Sequence, residues 1–169
     1  IHATGIPFQP MSMAKGLLPD DDPLATLSCR GLAMRTADVV LLVGARLNWM
    51  LQFGKGKKWN PDVKFIQIEI DPAEIDNSRY IDAPIVGDIK STMKMMNEAL
   101  KTTPVKAPAE GQQRLADDID KNDARFAGKT ASSEVPMNHY NALGAVKKVM
   151  DKNHDVYLVN EGANTLDDC

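Results

Sequence analysis

Arg46 follows a run of five apolar residues, Val39 to Val43, and a small turn, Gly44-Ala45. If that run is a buried strand, the turn puts a guanidinium on a permissive backbone at the strand's carboxyl end. There an arginine can grip a phosphate through two parallel hydrogen bonds. The alternative is an arginine that caps a loop or pairs with a nearby carboxylate. Glu69, with Asp71 two residues on, ends a second such run. A carboxylate at that place can accept hydrogen bonds from both hydroxyls of a ribose; without a partner motif, Glu69 and Asp71 are turn and capping residues. The Gly-x-Gly-x-x-Gly signature of dinucleotide sites is absent. Lys55-Gly56-Lys57-Lys58 is basic but lacks phosphate-loop spacing and reads as a solvated loop. His2, His139 and His154 are scattered, which supports neither a zinc site nor a hydrolase triad. Trp49 and Trp59 read as packing residues.

The elements that must carry these groups are legible. Residues 39–43, 65–70 and 84–86 are continuous apolar runs, each closed by a polar turn. That pattern predicts strands of a parallel sheet covered on both faces by helices, with ligands outside the strands' carboxyl ends. A strand is also expected over 7–11, a helix over 24–36, and a helical turn over 73–76. Ile89, Met93, Met96 and Leu100 form one stripe of a helix over 89–100, with Asp88 as its N-cap. Residues 102–109 hold two prolines among small residues and read as a linker. A polar helix over 110–127, a helix over 140–150 and a buried strand over 156–159 follow.

The chain has 169 residues, a net charge of −3 and a pI near 5.6. Without a basic stripe, nucleic acid is not expected as the main partner, and without a long apolar run a membrane is not expected either. Cys29 and Cys169 form neither a metal cluster nor a disulfide framework, which points to a reducing cytoplasmic setting. The sequence opens at Ile1 on a strand-like segment and closes on an acidic turn. We therefore expect it to be an internal piece of a longer protein.

Four motifs, in order, carry a resemblance: Pro10-Met11-Ser12-Met13-Ala14-Lys15-Gly16, Gly44-Ala45-Arg46-Leu47-Asn48-Trp49, Val86-Gly87-Asp88-Ile89, and Leu158-Val159-Asn160-Glu161-Gly162-Ala163-Asn164-Thr165-Leu166-Asp167. Together they resemble the oxalyl-CoA decarboxylases among the thiamine-diphosphate enzymes. The resemblance implies a Rossmann-like central domain over 1–103, a linker with a helix over 104–135, and the start of the diphosphate-binding domain over 136–169. It implies decarboxylation of oxalyl-CoA to formyl-CoA by a homo-oligomer that uses thiamine diphosphate and Mg²⁺, with ADP as activator.

By the same resemblance, Arg46 faces the ADP diphosphate, Glu69 the ribose, and Ile70 and Ile89 the adenine, beside Asp88. Glu69 stands where the family often has Asp. Ser28, Cys29, Arg30 and Asn122 fall at the CoA positions. Tyr140, Asn141, Ala163 and Asn164 fall where thiamine diphosphate is touched. No catalytic or metal-ligating residue is implied within this chain, so the piece alone should be inactive. The alternatives are a 2-hydroxyacyl-CoA lyase, which shares the second and fourth motifs in part, and a non-catalytic nucleotide-binding module.

Overall fold

The structure is a computed structural model that describes residues 1–153 together with Asp155, Val156 and Val159. Three strands, β1 (Val39–Val43), β2 (Lys64–Glu69) and β3 (Ala83–Val86), form a parallel sheet in the order β1-β2-β3. Val43 lies opposite Ile68, and Glu69 opposite Val86. The ladder runs one residue past the strands, through Gly44 N–H to the Ile68 carbonyl and Gly87 N–H to the Glu69 carbonyl, each at 2.9 Å. All three carboxyl ends therefore open on one edge.

The core lies under one face of this sheet. Leu42 and Phe65 point into it and meet Met34, Leu47, Leu51, Trp59, Val63 and Ile81. Met34 belongs to α1 (Arg30–Thr36). The Trp59 ring stands edge-on to Phe65 at 5.2 Å between centroids, and its indole N–H donates to the Leu51 carbonyl at 2.8 Å. Arg79 lays its guanidinium over the other side of Phe65, 4.7 Å from the ring centroid, and donates to the Gly54 carbonyl. A fully buried Phe held this way is worth about 3–5 kcal/mol on truncation to Ala, so Phe65 is the pin beneath the sheet.

The three strands are not equally buried, and here the expectation is corrected. Phe65 and Ile68 of β2 are fully buried, whereas Val39, Leu41 and Val43 of β1 are 51%, 37% and 40% exposed. β2 has a strand on either side; β1 is an edge. A continuous apolar run predicts burial on both faces, but an edge strand has burial only where something is packed on it.

The strand expected over 7–11 reduces to a single parallel bridge between Phe8 and Ala25, and the helix expected over 24–36 begins only at Arg30. One cause explains both. Phe8 N–H donates to the Leu24 carbonyl, and Thr26 N–H donates to the Phe8 carbonyl, each at 2.9 Å. The Thr26 hydroxyl reaches both Phe8 O and the Gln9 side chain at 3.1 Å. Backbone groups committed across the chain cannot also close a helix.

After β3, α2 (Ile89–Thr102) packs on β2. The Asp88 side chain accepts from Ser91 N–H at 2.8 Å and caps its first turn. α3 (Ala109–Thr130) and α4 (His139–Met150) follow. The chain divides into two compact units, Ile1–Asn122 and Asp123–Cys169. Most of the strand expected over 156–159 and the whole of the turn after it lie outside the described residues.

Candidate functional site

The site grows from the carboxyl edge of the sheet. Gly44 takes a left-handed backbone (φ 62°), which turns the chain sharply off β1. A side chain there would be strained and would also meet Ile89 of α2, whose Cδ1 lies 2.5 Å from the place of a Cβ. The turn delivers Arg46 into solvent beside β2. Its Nε lies 3.9 Å from Glu69 Oε2, and its Nη1 lies 3.4 Å from Glu74 Oε1. The arginine side chain is 58% exposed and that of Glu69 only 7%. Burial of the carboxylate is made tolerable by its other oxygen, which accepts from the backbone N–H groups of Ile70 at 2.9 Å and Asp71 at 3.4 Å. Glu69 is thus a fixed carboxylate, and Arg46 an exposed cation beside it.

Ile70 and Ile89 stand at the same edge with apolar side chains 69% and 40% exposed. Asp88, at the end of β3, has its carboxyl held below the ordinary range, chiefly by the Ser91 backbone hydrogen bond. All five residues expected at a nucleotide, Arg46, Glu69, Ile70, Asp88 and Ile89, are therefore gathered at the carboxyl ends of neighbouring strands. A cavity of about 170 Å³ opens beside Arg46 and is lined also by Asn48, buried Gln67, Glu74 and Arg79.

Glu74 and Arg79 were not among the expected site residues. The signal for Glu74 was present: Asp71-Pro72 with an acid three residues after the Asp starts a short helical turn. In the structure the Asp71 side chain accepts from Ala73 N–H at 2.9 Å and fixes that turn, Pro72–Glu74. Nothing local in the sequence says that the turn folds back over Arg46.

The residues expected at CoA lie together but are largely committed to structure. Asn122 donates to the Ser28 carbonyl at 3.0 Å across 94 residues of sequence. Arg30, the first residue of α1, donates to the Met50 carbonyl. Cys29 is buried, with 2% of its surface exposed, whereas Ser28 beside it is exposed and Arg30 half-buried.

Tyr140 and Asn141 sit in the first turn of α4. Asn141 is buried, accepts from Asn138 N–H at 3.0 Å and donates to the Ser132 carbonyl. With the Asn138 side chain accepting from Asn141 N–H it closes a reciprocal capping box. The Tyr140 hydroxyl accepts from Lys129 Nζ at 3.2 Å, and the same ammonium lies 4.4 Å from the ring centroid. Both side chains have structural partners of their own. Ala163 and Asn164 lie outside the described residues. Among the described residues no three His, Cys, Asp or Glu side chains converge to hold a metal ion, and no helix is long and apolar enough to cross a membrane.

A parallel α/β unit with such groups gathered at its strand ends belongs to the class of α/β folds whose ligands sit outside the carboxyl ends of the strands. Comparison with known proteins narrows the class. The profile of the family described as thiamine pyrophosphate enzyme, central domain, matches residues 1–96. The chain belongs to that family. It is 48% identical over 167 residues to an oxalyl-CoA decarboxylase of Escherichia coli, covering 99% of this chain and 29% of that protein. It is 36% identical over 164 residues to human 2-hydroxyacyl-CoA lyase 1 and 37% identical over 171 residues to a 2-hydroxyacyl-CoA lyase of Oryza sativa. Those matches cover 96% and 99% of this chain and 28% and 30% of the two lyases. The chain thus spans less than a third of the length of these relatives.

Proposed function

We propose that this chain is the nucleotide-holding central part of a thiamine-diphosphate-dependent lyase that converts oxalyl-CoA to formyl-CoA and carbon dioxide. Residues 1–103 form the central domain, 104–135 the linker, and 136–169 the start of the diphosphate-binding domain. The observation that carries the reading is the meeting of Arg46 and Glu69 at the ends of adjacent strands β1 and β2. ADP placed there gives its diphosphate to Arg46 and its ribose hydroxyls to Glu69 Oε2, with the adenine between Ile70 and Ile89. Because Glu69 is anchored by two backbone N–H groups, it accepts without reorganising, which keeps the ordering cost of the ribose low. Ser28, Arg30 and Asn122 face the CoA phosphates in this reading.

Thiamine diphosphate, when bound, supplies the ylid that attacks the thioester carbonyl and the electron sink for the departing carbon dioxide. The groups that hold it and Mg²⁺ belong mostly to other parts of a cytoplasmic homo-oligomer. The higher identity to the decarboxylase favours oxalyl-CoA, and the lyase matches keep 2-hydroxyacyl-CoA cleavage as the second reading.

The test is turnover by the full-length protein with thiamine diphosphate and Mg²⁺. Formyl-CoA release from oxalyl-CoA, stimulated by ADP, is expected. Arg46→Ala should weaken ADP about tenfold or more, the scale of a charge-assisted hydrogen bond. Cleavage of 2-hydroxyacyl-CoA with oxalyl-CoA ignored would replace the reading by the second.

A further inference from the structure

We propose that Glu74 is a built-in competitor for Arg46: its carboxylate occupies the side of the guanidinium that a nucleotide's phosphate must take, and so sets the affinity of the edge for anions. The inference rests on the nucleotide reading of that edge and adds to it the residue that tunes it.

The charge balance raises the question. One guanidinium faces two carboxylates, Glu69 at 3.9 Å and Glu74 at 3.4 Å, on different nitrogens. Arg46 is thus more than neutralised before any phosphate arrives. With Arg79 and Asp76, which line the same cavity, also counted, an ADP diphosphate meets two arginines against three carboxylates.

Geometry decides which carboxylate yields. Glu69 is buried and takes two backbone hydrogen bonds on Oε1, so it cannot swing away. Glu74 has a partly exposed side chain and ends a three-residue turn; its other oxygen has one weak exposed contact, from the Asn77 side-chain amide at 3.5 Å. Its separation from Arg46 exceeds the roughly 2.7–2.9 Å of a tight charge-assisted bond. Pro72 stiffens the start of the turn, so rotation of the Glu74 side chain, not a shift of backbone, opens the guanidinium. A half-exposed pair of this kind is weak, and a phosphate with two oxygens to offer displaces it.

Calorimetric titration of the full-length holoenzyme with ADP tests this. Glu74→Gln keeps size and the Asn77 contact but removes the charge, and should tighten ADP by about two- to fivefold, the scale of a weak ion pair. Glu74→Ala should do the same, which guards against a special effect of the amide. In an Arg46→Ala background the gain from Glu74→Gln should shrink to less than about twofold, and adenosine, which has no phosphate, should bind all the variants equally. ADP binding that is unchanged or weakened in both Glu74 variants overturns the inference and leaves the nucleotide site standing. So does an equal gain with Arg46 absent, which would mark a general field effect. Wild-type protein that does not bind ADP removes the nucleotide reading itself and the competitor with it.

Discussion

The strand-end edge and the turn that opens α4 both present polar side chains, and they hold them in opposite ways. At the edge, Arg46 sits more than half exposed between two carboxylates at salt-bridge distances that leave its donors only loosely used, with two isoleucines uncovered nearby. At the start of α4, Asn141 is buried with its amide oxygen and nitrogen both bound, and Tyr140 is held by Lys129 through hydroxyl and ring. A polar side chain whose atoms are fully partnered within the chain stabilises the fold, whereas one held loosely at an open edge keeps capacity for a ligand. The difference lies in how completely the polar atoms are partnered, and each of the following changes probes one side of it.

The largest effect is expected from Asn141→Ala. It removes a helix cap and leaves the Ser132 carbonyl and Asn138 N–H without the buried Asn141 amide as partner, at a cost of about 2 kcal/mol. Hydrogen exchange of the α4 amides in the full-length protein should lose protection by roughly thirtyfold, with ADP affinity unchanged. If protection held and thiamine diphosphate affinity fell instead, Asn141 would be a ligand residue and the contrast would collapse.

Gly44→Ala is expected to act on the other side. The left-handed backbone costs an alanine about 1 kcal/mol or somewhat more, and the new methyl forces Ile89 to another rotamer. ADP titration should show several-fold weaker binding with only a small drop in thermal stability. Unchanged affinity would mean that Ile89 does not flank the nucleotide.

The smallest effect belongs to Asp88. Its folded pKa lies below the ordinary value, so the stability it contributes is fully present above the unfolded pKa of about 3.9 and is lost as pH falls through the folded value. Asp88→Asn keeps a cap acceptor without the charge. Exchange protection in the first turn of α2 should be slightly greater for wild type at neutral pH, and that advantage should vanish on acidification. An advantage that grew as pH fell would reverse the sign and reject the capping role.

The sheet was legible because its strands are unbroken apolar runs. β1 has the expected bounds, β2 is shifted by one residue at both ends, and β3 starts one residue earlier. Asp88 and the apolar stripe behind it located α2 for the same reason, that cap and periodicity are local. What depended on contacts distant in sequence was not legible. Phe8 donates to the Leu24 carbonyl and accepts from Thr26, which undoes a helix and a strand that each looked sound alone. The even burial expected for β1 failed because edge position is a property of the sheet, not of the strand. At the site, Arg46 and Glu69 were readable from the strand ends, but Glu74 was not: its approach to Arg46 depends on how a turn folds 28 residues later in the sequence. Asn141 adds a second case: its capping bonds to Asn138 and Ser132 span up to nine residues and are seen only in the folded chain.

The uncovered side of β1 has a practical meaning for anyone handling this chain. Val39, Leu41 and Val43 form an apolar strip on a strand whose outer backbone groups have no ladder partner among the described residues. Such a strip is adhesive: it offers both a wettable-surface deficit and a template for another strand to add on. Stocks of the isolated chain are best kept dilute, and a charged replacement at Leu41 is the first solubilising change to make, because it interrupts the strip at its centre while leaving the buried face of the sheet and the ligand edge as they are.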